Sequence, residues 1–315
     1  MKYFGAFFLF IGALFGAELA PFYTIEASGI VYQIEIKGDE LLAGTSAGSI
    51  DVYHLKNASL QNRILFPKIK DFTGDEVAPK IFSVDKFENH YLAVVQASSG
   101  ARELYVVEEG KPRVLIDSKA NMMIAKAKFV DKNRILVALL SNELILWDSA
   151  KNKALYQTQL NPSHFSDFAL NESRSMVASS GESGEITIND VNSGKMIKVL
   201  KGANVDNVYK VDFKQEKILC AGQDRRGVIY TLSDASHIRF DAPFLIYAGA
   251  ISPSLTYAAF AFNQENDIVL FNLATKSKTH TLKGQKSTLN TILFASEKEL
   301  VSSSDDKFIM IWRLP

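Results

Sequence analysis

This sequence is poor in the residue types that most often mark chemistry. Cys220 is its only cysteine, so no disulfide can form within the molecule and no dithiol motif exists. It lies in the apolar run 217–222 (KILCAG), where a small buried hydrophobe is expected rather than a reactive thiol. The five histidines, His54, His90, His164, His237 and His280, include no pair at a metal-ligand spacing, so packing or surface roles are expected of them. Only two tryptophans occur, Trp147 and Trp312, which excludes a tryptophan-rich repeat. Neither charge sign is in excess: 35 basic residues balance 35 acidic ones, without the positive field that nucleic-acid binding requires. No acidic tail or low-complexity tract is present. The glycines of 181–184 (GESG) precede a strand rather than a helix, so they are turn glycines and not a phosphate cradle.

Long apolar runs are also lacking, apart from one at the N-terminus. Met1 and Lys2 are followed by an apolar stretch at 3–17, fifteen residues long and short for a bilayer span. A secretory signal peptide over 1–17 is expected, cut after Gly16 or Ala17, although Leu14 and Phe15 are larger than the residue preferred at the −3 site. No cysteine follows for lipid attachment. Periplasmic export is therefore expected, with one domain over 18–315 and no membrane span once the signal is removed.

What is present is periodicity. Residues 298–315 (KELVSSSDDKFIMIWRLP) read as strand, tight turn and strand, since Ser and Asp favour turns and bulky or β-branched residues suit a pleated sheet. The same pattern recurs with Tyr53, Tyr105, Trp147, Asn189, Tyr230 and Phe271 at the Trp312 position, at intervals of 52, 42, 42, 41, 41 and 41 residues. Trp147-Asp148 and Asn189-Asp190 keep an aspartate after that position, and Asp224 and Asp306 each stand six residues before it. These features resemble the WD40 repeat family. The resemblance implies four strands per repeat and an all-β, seven-bladed β-propeller. The last repeat lacks a fourth strand, and 22–27 (FYTIEA) is a strand without a repeat, so the N-terminal strand is expected to pair beside 308–314 and close the ring. The Gly-His pair of that family is replaced by Lys201-Gly202 and Lys283-Gly284 without a following histidine, so its Asp-His-Ser/Thr-Trp network is expected to be absent, leaving apolar packing to hold the blades.

The interval of 52 marks an insertion at 67–80 (PKIKDFTGDEVAPK), where Pro67, Gly74 and Pro79 interrupt strand formation. Asp71, Asp75 and Glu76 cluster there with Phe72, an aromatic among turn residues that cannot easily reach a blade core. These four residues are the candidate partner-binding site. The stretch 69–85 together with the overall layout resembles the NapL-type accessory propellers of periplasmic nitrate reductase systems. That resemblance implies a periplasmic, non-catalytic partner of the nitrate reductase in maturation or electron delivery; a monomer without cofactor or metal is expected beside it. A metal-dependent, lactonase-like hydrolase working in the propeller channel is the alternative, and an envelope assembly scaffold is a third reading.

Overall fold

A computed structural model describes residues 16–315; the expected signal peptide lies almost wholly outside the described residues. Seven antiparallel sheets follow one another along the chain, and the fold is the expected seven-bladed β-propeller. Blade 1 comprises Val31–Lys37, Glu40–Thr45, Ser49–His54 and Leu60–Leu65, from the channel outwards. The inner strands of blades 2 to 7 are Ile81–Phe87, Ile124–Phe129, Phe165–Leu170, Val208–Lys214, Gly249–Ile251 and Leu289–Phe294.

Each middle strand is apolar on both sides because each blade is sandwiched between two others. The buried residues accordingly form seven clusters, one at each blade–blade interface. Blades 4 and 5, for example, share Ile188, Phe213, Cys220 and Tyr230. Burial pushes the Cys220 thiol far up, which makes it inert, as its apolar run suggested.

The ring closes as expected. Tyr23–Glu26 pairs antiparallel with Phe308–Arg313, placing Tyr23 opposite Ile311 and Glu26 opposite Phe308. Ile25 thereby joins Ile309 and Ile311 of blade 7 and Ile34 and Leu41 of blade 1 in a single cluster. A second N-terminal pairing was not foreseen: Ala17–Leu19 adds a fifth strand to blade 6, parallel to Lys278–Leu282. The N-terminal segment thus straps blade 6 to blade 7.

The hydrogen-bond network expected to be missing is rebuilt with other residues. In blade 7, Trp312 Nε1 donates to Ser302 Oγ at 2.9 Å, and Gln285 Nε2 donates to the same oxygen at 3.0 Å. Ser304 Oγ stands 3.0 Å from both Gln285 Oε1 and Asp306 Oδ1. Gln285, directly after Gly284, supplies the donor and acceptor that a histidine would have supplied. Blade 5 uses Asn204 on Asp224 at 3.0 Å, and Tyr230 accepts the Ala203 N–H at 3.1 Å. In blade 1 the fully buried Asp51 accepts from Ser28 N, Ser49 Oγ, Tyr53 Oη and Arg63 Nε, which ties the closing segment to the first blade. Apolar packing is therefore not the only cohesion.

Candidate functional site

The insertion between blades 1 and 2 does form strand after all. Ile69–Lys70 and Glu76–Val77 pair antiparallel, with Ile69 opposite Val77. Its base is clamped to the blade 1 turn. Gly48 has φ +76°, and a Cβ there would stand 2.9 Å from Pro79 Cδ, so glycine is needed both for the turn and for the approach.

The tip is held by Asp71. Its Oδ1 accepts from Thr73 N, Thr73 Oγ1 and Asp75 N at 2.9, 2.7 and 3.0 Å, and Asp75 Oδ2 accepts from Thr73 Oγ1 at 3.0 Å. The hydrogen bonds from Thr73 and the turn backbone hold the Asp71 carboxyl below the usual range. Phe72 projects from this braced turn 94% exposed, the most exposed large hydrophobic among the described residues. The structure thus brings the four sequence-selected residues together but divides their roles: Asp71 shapes the turn, Phe72 is presented, and Asp75 and Glu76 supply negative charge beside it.

The hairpin rises from the end of the propeller at which the inner strands begin. A β-bulge recurs at that end in six blades, with Tyr32, Phe82, Ala125, Ser166, Tyr209 and Asn290 as the extra residues. Tyr32 and Phe82 contact each other at 5.6 Å, and Tyr209 stacks on Tyr247 at 4.9 Å. Three of the six bulge residues at the hairpin end, in blades 1, 2 and 5, are therefore aromatic. Sequence reading missed these residues because they occupy single positions within strands that look ordinary.

Towards the opposite end lies a cavity of about 330 Å³, lined by inner-strand residues of several blades and by the turn that follows the inner strand of blade 4. Lys37 Nζ lies 3.0 Å from both Glu35 Oε1 and Asp85 Oδ1, while Lys128 of blade 3 reaches over blade 2 to Glu35 of blade 1. Lys126 Nζ donates to Asp167 Oδ1 at 2.6 Å. The carboxylates also staple neighbouring blades: Asp85 accepts from Phe129 N, Asp167 from Val211 N and Asp212 from Ile251 N, at 2.8, 3.2 and 2.9 Å. Each such charge-assisted bond contributes about 1.5–3 kcal/mol. The alternating charges in QIEIK, AKAKF and KVDFK were the available signal.

Burial works to raise the Glu35 pKa, but Lys128 and Lys37 outweigh it and draw the value to about 2, from an ordinary 4.5. The unfolded chain therefore takes up this proton first as pH falls. The stabilisation from this carboxylate is complete above about pH 4.5 and is lost progressively towards pH 2. Urea unfolding at pH 7, 4 and 2.5 is expected to show this loss in the wild type and a flatter profile in Glu35→Gln. Parallel profiles would remove the pair from the acid response.

Gly44-Thr45-Ser46-Ala47-Gly48 fits the G-x-S-x-G pattern of hydrolase nucleophiles. That chemistry needs a strand-to-helix elbow, whereas here the segment is a hairpin turn between two strands, with Ser46 Oγ accepting the Ile30 N–H at 2.9 Å. Among the described residues no three His, Cys, Asp or Glu side chains are grouped to hold a metal ion, and no helix is long and apolar enough to cross a membrane. The fold and its sites define a seven-bladed β-propeller with one presented hairpin and a charged channel. In comparisons with known proteins, no family model and no curated protein matches the sequence.

Proposed function

We propose that the protein is a non-catalytic, periplasmic interaction module whose partner docks on the hairpin face. The observation that carries this reading is Phe72, an aromatic side chain held in water by a turn braced through Asp71 and Thr73. Burying an exposed aromatic ring against a partner contributes about 1.5–3 kcal/mol, and nothing else in the fold uses this one. The aromatic bulge residues of blades 1, 2 and 5 at the same end add to the apolar surface on offer. The signal-type N-terminus supports export, and the resemblance of 69–85 to NapL-type proteins supports a nitrate reductase component as the partner, served in maturation or electron delivery.

The channel carboxylates Glu35, Asp85 and Asp167 are engaged by lysines, which weighs against their use as metal ligands in a lactonase-like hydrolase. Titration of the purified protein into periplasmic nitrate reductase tests the proposal. Phe72→Ala is expected to weaken binding about tenfold while stability stays within about 0.5 kcal/mol. Equal affinity of the two proteins would remove the hairpin as the docking site.

A further inference from the structure

The channel cavity holds cations and carboxylates whose pairing is incomplete. Lys37, Lys126 and Lys128 are matched as described, and Lys214 Nζ lies 4.0 Å from Asp212 Oδ1. Lys210, on the inner strand of blade 5, lines the same cavity half-buried, yet among the described residues no carboxylate lies within salt-bridge distance of it and no acceptor receives its protons. Arg174 also lines the cavity, and among the described residues no carboxylate lies within salt-bridge distance of it. It donates to the Phe129 carbonyl at 3.2 Å and stacks over Phe87 at 5.3 Å.

The acids facing these two cations are already committed. Asp167 accepts from Lys126 and Val211 N, Asp212 accepts from Phe213 N and Ile251 N, and Glu172 accepts from Gln215 N at 3.0 Å. Each of these carboxylates thus already accepts from neighbouring N–H groups or ammonium protons, and the charges of Lys126 and Lys210 together hold Asp167 below its ordinary range against burial. The Lys210 ammonium meets solvent in the cavity, where an oxyanion would exchange its water contacts for charge-assisted hydrogen bonds.

We infer that the channel binds a small oxyanion through Lys210, with Lys126, Lys214 and Arg174 around it. The cavity of about 330 Å³ admits a tetrahedral anion or a short dicarboxylate. Such a ligand would tie blades 3, 4 and 5 together at the face opposite the hairpin, independently of any docked partner.

Equilibrium dialysis of the purified protein against labelled inorganic phosphate, with sulfate and malonate as competitors at constant ionic strength, tests this. One saturable site per chain is expected, together with a rise in Tm that saturates with the same midpoint. Lys210→Met, which breaks no direct salt bridge although it withdraws a charge that acts on Asp167, is expected to weaken binding tenfold or more. Lys201→Met, at an exposed position outside the cavity, is expected to bind as the wild type. Less than one bound phosphate per chain in the wild type, or equal binding by Lys210→Met, would overturn the inference. The dialysis result stands on the wild-type protein even if a variant folds poorly.

Discussion

A chain truncated after Ser304 is expected not to fold. The cut removes Phe308–Arg313, the strand to which the closing segment pairs, and with it the buried side chains Ile309, Met310, Ile311, Trp312 and Leu314. Those five serve two interfaces, Met310, Trp312 and Leu314 facing blade 6 and Ile309 and Ile311 facing blade 1. At about 1.5–3 kcal/mol each, the lost burial is of order 10 kcal/mol, comparable to the whole net stability of a typical domain, about 5–15 kcal/mol. Loss of pairing also leaves Tyr23–Glu26 without a partner and bares the edge of blade 7. Expression should give insoluble or aggregated material; a soluble monomer with native-like circular dichroism would contradict the closure described above.

Trp312→Ala is the largest expected single-residue effect. The indole is fully buried between blades 6 and 7, and its N–H is one of two donors to Ser302 Oγ. Removing it leaves a cavity among packed side chains at a cost of about 3–5 kcal/mol. Trp312→Phe keeps most of the ring volume and forfeits one hydrogen bond, so a cost of about 1–2 kcal/mol is expected. Urea unfolding of the three proteins separates the two contributions. A loss below about 1 kcal/mol in the alanine variant would mean that the interface relaxes into the space.

The ring was legible in the sequence because a blade cannot bury two apolar faces alone, so every copy must preserve the strand-turn-strand pattern at nearly one spacing. Closure was legible for a related reason: the last copy stops one strand short, and Tyr23–Glu26 is a strand with no copy of its own. The parallel addition of Ala17–Leu19 to blade 6 was not, since three residues carry no alternation to read. The network in blade 7 was not legible because the family signature carries histidine after the glycine, while Gln285 meets the same two hydrogen-bonding demands. Phe72 stood out as an aromatic among turn residues, and its exposure follows from that setting; the hairpin beneath it did not, because Pro67, Gly74 and Pro79 argue against strand in a segment where only two residues on each side pair. Lys210 looks like any strand lysine until seven inner strands converge on one channel.

Purification of the tagged protein from the cells that produce it, wild type beside Phe72→Ala, with mass spectrometry of the proteins that accompany it, tests the central claim most directly. On the proposed function, nitrate reductase components are expected with the wild type and reduced about tenfold with the variant. Recovery of no partner with the wild type, or of the same partner in equal amount with both, would contradict a docking module that works through the hairpin.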